Sequence, residues 1–451
     1  MTRLRHRMSV LLLSAATMSC AAVAGVSTPA GAAVAGRAAV GVAPAAHLGC
    51  GHPAGSRSGG PPDTPAGPDP ASGGDGAAPV VTSARPDTAL TMEWRHYGDT
   101  SGPGGWAGAD GTYSTPLPGG CDAWLFNDTF LGPVNADESL PASAPFIHNS
   151  LVLASRRSRR LLATVTGGTP GHPQSLVGPT PPGDSPAGTD SHWYWDTDGI
   201  VDHGKLYVFE AEIGPTSAPP PFNFGQTGMK IAAFSLPGLR LQSLTPTYGG
   251  PAISWGVQLL RQGPWIYIYG DESAYLNKYV HLARARAGHL LGPWQFYTGT
   301  GWSSDPASSA RLLGGVGASY SVTPVDGHYV LATTDPFLDP QIYLYTAPSP
   351  AGPFTGKQEI YTAPQAGGDI YVYNVAAHPE LTGPGQLVLS YNVNSFKLAD
   401  LYANINNNRA RFLCVTFARP SRTVTSPPQR PRRSAQADCG SRPDTSGRPG
   451  A

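Results

Sequence analysis

A chain of 451 residues with 40% hydrophobic content carries enough apolar side chain for a substantial core, which excludes a wholly disordered protein. Only 13% of its residues are charged, 30 basic against 30 acidic, so no basic field is available for a nucleic-acid backbone and no polybasic patch for a membrane surface. No stretch has the length and continuity of a membrane span.

In chain order, residues 1–32 read as a secretory signal. Arg3, Arg5 and Arg7 precede a short apolar run over 10–16, and Ala30-Gly31-Ala32 fits cleavage before Ala33. The mature protein is therefore expected to be secreted and extracellular. Residues 33–86 are an Ala/Gly/Pro-rich linker and 418–451 a Pro/Arg/Ser-rich tail, neither with enough bulky apolar side chain to fold. Between them, 87–417 holds nearly all the aromatic residues and is the expected folded domain. Past the signal stand Cys50, Cys121, Cys414 and Cys439, an even set that outside the cytosol points to disulfides. A bond between Cys121 and Cys414, tying the start of the domain to its end, is one of the connectivities four cysteines allow.

Helical periodicity is nearly absent from 87–417, and short β-branched and aromatic runs alternate with Gly, Pro, Asp and Asn turns, so the class is all-β. The runs recur in fixed order, four to a unit. Unit one has 111–117, 124–130, 149–154 and 161–165; unit two has 199–201, 205–210, 229–234 and 239–243. Unit three has 257–260, 265–269, 279–283 and 294–297; unit four has 320–323, 329–333, 341–345 and 358–361. Unit five has 371–375, 386–391, 400–403 and 411–417, and a further strand over 90–97, with Trp94, is expected to join this last unit. Four-stranded units repeating roughly every 60 residues predict a five-bladed β-propeller. The segment 167–190 reads as a long surface loop.

In such a blade the innermost strand begins, and the second strand ends, on one face of the disc, and this chain places its acids there. Asp110 stands in Gly-Ala-Asp-Gly-Thr-Tyr, and Asp196 and Asp198 in Trp-Tyr-Trp-Asp-Thr-Asp-Gly. Second-strand ends carry Asp128, Glu210 with Glu212, and Asp271 with Glu272, while unit five offers the amides Asn392 and Asn394. For any one acid a turn or cap is about twice as probable a role as catalysis; the set on one rim is what points to function. Glycosidic cleavage needs one carboxyl to protonate the leaving oxygen and another to attack or to activate water. Asp110 is the leading nucleophile or base, Asp198 its orienting partner, and Glu272 and Glu210 lead for the acid. Trp193, Trp195 and Trp106 are candidate platforms for sugar faces, with Glu212, Asp271, Asn392 and Asn394 as polar contacts; for aromatics inside strands the core is the commoner fate. No zinc-ligand spacing is present, and calcium held by carboxylate and carbonyl oxygens in the axial channel is the one cofactor these acids suggest.

The residues Gly108-Ala-Asp-Gly-Thr-Tyr-Ser114, Trp124-Leu-Phe-Asn-Asp-Thr-Phe130 and Asn149-Ser-Leu-Val152 resemble the opening blade of secreted bacterial propellers of the domain-of-unknown-function type, a group related to endo-D-arabinanases. The Ser-Pro-Ala-Gly-Pro-Phe turn over 349–354 is similar to that of five-bladed arabinanase and fructosidase propellers. The resemblance covers 87–417 and implies a glycoside hydrolase in which Asp110 is base or nucleophile and Asp128, in Asp-Thr-Phe, the acid. Those propellers carry a Glu on the third blade's inner strand, where this chain reads Ser254-Trp-Gly-Val-Gln-Leu. The expected protein is a monomer that meets an arabinofuranose-containing polysaccharide or oligosaccharide, with a non-catalytic carbohydrate-binding propeller as the alternative and no nucleic-acid partner.

Overall fold

A computed structural model describes residues 77–169, 171–178, 192–218, 223–249, 252–274 and 277–418. The expected signal peptide, most of the linker and nearly all of the tail lie outside the described residues. Five antiparallel sheets of four to six strands form the blades of a ring. The inner strands are Trp106–Pro116, Trp193–Asp202, Ile253–Gln262, Tyr320–Val325 and Ile370–Ala377. Each touches the inner strand of the next blade, and the fifth touches the first, so the ring is closed. The chain is a five-bladed β-propeller.

Its core lies between blades rather than within one sheet. Leu125 and Leu151 of blade 1 pack on Leu206 and Val208 of blade 2; Phe209 and Ile231 of blade 2 pack on Trp255 and Ile266 of blade 3. Tyr267 and Val280 then meet Tyr320 and Leu331, Val330 and Ile342 meet Val372 and Leu387, and Val388 and Phe412 meet Trp106 and Trp124. Strands buried on both faces account for the nearly continuous apolar runs of the sequence. Each buried large side chain contributes about 1.5–3 kcal/mol relative to exposure.

Closure of the ring differs from the expectation. The segment 90–97 lies in a helix, Thr88–Thr100, capped where Asp87 Oδ1 accepts the Leu90 N–H at 3.0 Å. A strand was expected over 90–97; in the helix Leu90 and Trp94 share one buried face while Met92 is exposed. Trp94 sits edge-on to Trp106 and Trp124 at 5.1 Å each. The strand that completes blade 5 lies upstream, at Val81–Pro86 inside the expected linker, and pairs with Arg411–Phe417. The expected strand at 400–403 is also helical, within Leu398–Ala403, because Leu401 turns inward while Leu398 faces solvent. Arg411–Phe417 is therefore the third strand of blade 5 and the N-terminal segment its fourth, which pairs the two ends of the domain in one sheet. Cys121 and Cys414 are both disulfide-bonded. In the expected surface loop, Gly167–Thr169 and His172–Gln174 form a small hairpin. No helix among the described residues is long and apolar enough to cross a membrane.

Four of the five inner strands break register near the axis. The irregularities fall around Asp110 and Thr112 in blade 1, at Thr197 in blade 2, at Gly256 and Val257 in blade 3, and between Tyr373 and Ala376 in blade 5. Bulges re-aim side chains, and here they leave polar groups at the axis to bridge neighbouring blades. Thr115 Oγ1 donates to Gly199 O at 2.8 Å, Leu259 N to Asp198 Oδ2 at 2.7 Å, and Val322 N to Gln258 Oε1 at 3.2 Å. Ala377 N donates to Ser321 Oγ at 2.8 Å and Asn392 Nδ2 to Thr112 Oγ1 at 2.9 Å, which completes the circuit. Gly111, at φ 91°, and Gly256, also at φ 91°, serve these bulges; a Cβ on Gly256 would lie 2.1 Å from the Phe209 ring.

Candidate active site

The bulge in Trp106–Pro116 lifts Asp110 beside Asp128 of the second strand, Cys121–Leu131. Asp110 Oδ2 accepts a short hydrogen bond from the Tyr373 hydroxyl and another from Asn394 Nδ2 at 3.2 Å. Asn394 Nδ2 also lies 3.0 Å from the Tyr373 oxygen, so blade 5 holds Asp110 with two mutually braced donors. Burial, then the neighbouring Asp128 charge, push the Asp110 carboxyl up to about 7, against the lowering effect of Tyr373, Asn394 and the Asp128 backbone N–H.

Asp128 is oriented from blade 2 and from its own blade. Trp195 Nε1 donates to Asp128 Oδ1 at 2.8 Å and His148 Nδ1 lies 2.9 Å from the same oxygen, while its second oxygen takes no hydrogen bond among the described residues. The Asp128 side chain is 30% exposed and that of His148 only 2%. His148 is itself stacked on Trp193 at 5.0 Å. Tyr371, 4.5 Å from Phe396 and 5.2 Å from Tyr373, adds an aromatic wall that feels both aspartates. Tyr371 and Tyr373 were not among the sequence candidates. Their signal was the Tyr-Val-Tyr alternation in an inner strand, which puts both rings on one side of the sheet.

Deeper toward the axis, Asp196 and Glu210 stand opposite each other across the first two strands of blade 2. Neither has a cationic partner among the described residues, Glu210 is fully buried, and burial with the Asp196 charge holds its carboxyl well above the ordinary range. Asp196 is pushed to about 7 by burial. Burial and mutual repulsion both favour the neutral form of such a pair. Asp198 accepts from Gly199 N at 2.7 Å, Leu259 N at 2.7 Å and Gln258 Nε2 at 2.9 Å. Burial nonetheless raises it to about 7. Its three donors make it the clasp between blades 2 and 3.

Several expected site residues lie elsewhere. Glu272 is gripped by Arg311, Nε at 2.6 Å and Nη2 at 2.7 Å, and by His281 Nε2 at 2.9 Å. The Arg311 bonds, ahead of the others, hold its carboxyl below the ordinary value, the opposite of a proton donor. Asp271 is buried on Lys278 Nζ at 2.8 Å, and Glu212 accepts from Lys230 Nζ at 2.6 Å and Tyr194 at 3.1 Å, so both are ion-pair residues. Trp106 and Trp193, each 1% exposed, are core side chains and offer no ring face to a sugar. Asn392 is fully buried in its bond to Thr112. Of the three tryptophans, Trp195 alone is half-buried and at the rim. Among the described residues no three His, Cys, Asp or Glu side chains are grouped to hold a metal ion.

Asp110 and Asp128, on adjacent strands of blade 1, are thus held from blades 5 and 2, and the Asp128 side chain remains partly exposed. The sequence matches the family described as a domain of unknown function (DUF5005) over residues 91–417. The chain belongs to the DUF5005 family. No curated protein matches it. Among solved structures, a Bacteroides ovatus protein provisionally described as a hydrolase is similar, at 20% identity and a TM-score of 0.60, over 74% of this chain and 90% of the other. A GH43_1 enzyme from Xanthomonas citri complexed with xylose has 16% identity over 73% of this chain and 93% of its own, with a TM-score of 0.38. An exo-beta-1,3-galactanase from Phanerochaete chrysosporium has 12% identity over 75% and 64%, with a TM-score of 0.40. The Bacteroides ovatus likeness shows a shared fold for this DUF5005 domain.

Proposed function

We propose that this DUF5005 protein is a secreted glycoside hydrolase that cleaves an arabinofuranose-containing polysaccharide. The observation that carries the reading is the Asp110–Asp128 pair, one carboxyl held deep by Tyr373 and Asn394 and the other half-exposed and oriented by Trp195 and His148. Asp110 is the carboxylate that attacks the anomeric carbon, or deprotonates the water that does. Asp128, with one oxygen committed to Trp195 and His148, keeps the other for the leaving oxygen. The fold shared with the provisionally assigned hydrolase of Bacteroides ovatus and the first-blade sequence resemblance support the same class.

The test is hydrolysis of arabinan, xylan and galactan by wild type and by Asp110→Asn. Loss of product with unchanged thermal unfolding and retained glycan binding is the expected result. Cleavage by the variant at the wild-type rate overturns the assignment of Asp110. A second reading, a propeller that binds glycan without cleaving it, is favoured by Gln258 at the third-blade position, whose side chain is spent on Asp198 and Val322. Wild-type affinity for these glycans with no product at any enzyme concentration would establish it.

A further inference from the structure

The face that carries Asp128 has a second concavity, between blades 3 and 4. The second strand of each blade ends there, at Ala274 in blade 3 and Thr333 in blade 4, and a groove of about 540 Å³ lies beside these strand ends. Asn277, Tyr279, Asp335, Phe337 and Lys357 line it.

Three side chains of this groove are exposed in whole or in part. Phe337, 36% exposed, is displayed on a turn in which Asp335 Oδ1 accepts the N–H groups of Phe337 at 2.9 Å and Asp339 at 3.3 Å, and in which Leu338 adopts φ 61°. A non-glycine residue in the left-handed region is uncommon, and here it follows directly on the exposed ring. Asn277 Oδ1 is taken by the N–H groups of Lys278 and Gly315, both at 2.9 Å, while its amide N–H donors have no partner among the described residues. Lys357, with Nζ 4.0 Å from the centroid of the Tyr343 ring, makes no ion pair among them.

The opposite wall is braced. Arg311 lies 4.1 Å over the Tyr279 ring and is fixed there by both oxygens of Glu272, which His281 supports from behind. The acid that sequence placed at the catalytic centre thus stiffens this groove. A flat apolar ring flanked by amide N–H groups, a carboxylate oxygen and an ammonium, all wet, complements a sugar: C–H groups on the ring, hydroxyls on the polar atoms. An aliphatic occupant would leave the polar groups desolvated without partners.

We infer that this groove is a second glycan subsite, which takes a sugar ring of the same polysaccharide at a distance from Asp110. It rests on the glycan reading of the axial site. Engagement at two points on one face raises affinity for a long chain without altering the chemistry performed on a short one. Phe337→Ala and Asn277→Ala, each also combined with Asp110→Asn, test it. In the Asp110→Asn background, affinity for polymeric arabinan, xylan or galactan, measured by affinity electrophoresis, should fall about tenfold in whichever polymer the parent binds. In the active background the KM for that polymer should rise by a similar factor, with kcat and turnover of an aryl glycoside unchanged. Phe337→Trp should preserve or tighten binding. Polymer affinity equal to the parent in both alanine variants, with unfolding midpoints also equal, overturns the subsite. A wild type that binds but never cleaves, with the alanine variants weakened, overturns the hydrolase reading and leaves the subsite standing. A wild type that binds none of the three polymers overturns both.

Discussion

Blades 1 and 5 meet in two polar clusters along one strand. At one level Asp110 is held by Tyr373 and Asn394. Four residues further on, about 13 Å at 3.3 Å per residue, Ser114 Oγ lies 2.6 Å from His378 Nδ1 and shares a short hydrogen bond with Glu380, while His378 Nε2 is 2.9 Å from Ser390. Both levels hold a carboxyl displaced upward, Asp110 to about 7 and Glu380 to about 8, each chiefly by burial. The lower one even gathers a serine, a histidine and a glutamate, the side chains of a hydrolytic triad. Yet His378 and Ser390 are wholly enclosed, whereas Asp128, Asn394 and the tyrosines around Asp110 are partly exposed. A displaced pKa therefore reports burial at both levels, and each has a second carboxylate nearby, Asp128 beside Asp110 and Asp122 near Glu380, so solvent access is what separates them.

The contrast is open to attack by substitution. Asp110→Asn should cost about a thousand-fold or more in polysaccharide hydrolysis, with the unfolding midpoint preserved; an equally large loss from Ser114→Ala in a stable protein would invert the assignment. His378→Ala removes a buried group that bridges two serines and should destabilise by about 2–3 kcal/mol in chemical denaturation, with activity per folded molecule unchanged. Asn394→Ala withdraws a donor that lowers the Asp110 pKa, so activity should drop about tenfold and its acid limb should move to higher pH. A drop with no movement of that limb would assign Asn394 to substrate contact instead.

Glu380 makes a prediction of sign. Its pKa is raised on folding from 4.5 to about 8, so its contribution to stability is fully present below the unfolded value and is lost as pH rises through about 8. His378, lowered from 6.5 to about 3, acts oppositely, but only below its unfolded value. Between about pH 6.5 and 8 wild type should therefore lose stability more steeply than Glu380→Gln, as followed by denaturant midpoints; the axial aspartates add the same slope to both proteins. The smallest effect belongs to Arg311→Ala. Its side chain is 49% exposed, and breaking its pair with Glu272 should cost under about 1 kcal/mol, with aryl glycoside turnover unchanged.

How much of this was legible varies by element. Strand runs such as 205–210 and 386–391 lie inside the observed strands Lys205–Pro215 and Gln386–Ser395, because side chains buried on both faces leave an unbroken apolar signal. The two errors in blade 5 share a cause: in short segments such as 90–97 and 400–403 both periods fit, and only the neighbour decides. Asp110 and Asp128 stood out through their Gly-rich and strand-end settings. Glu272 did not differ from them in sequence, and what sets it apart is Arg311, 39 residues downstream, together with His281. Tyr373 was hidden as an ordinary strand residue.

Sequence by itself determined the all-β class, the five-fold repeat and the shortage of charge that makes the rim acids conspicuous, since these depend on composition and on periods of a few residues. Tertiary structure alone decided that Val81–Pro86 closes the ring, that Asp110 is held by Tyr373 and Asn394 from the far end of the domain, and that Trp106 and Trp193 are core. Those facts depend on contacts between residues hundreds of positions apart, brought together by inter-blade packing, and no local pattern encodes which side of a strand will face a neighbour and which the funnel.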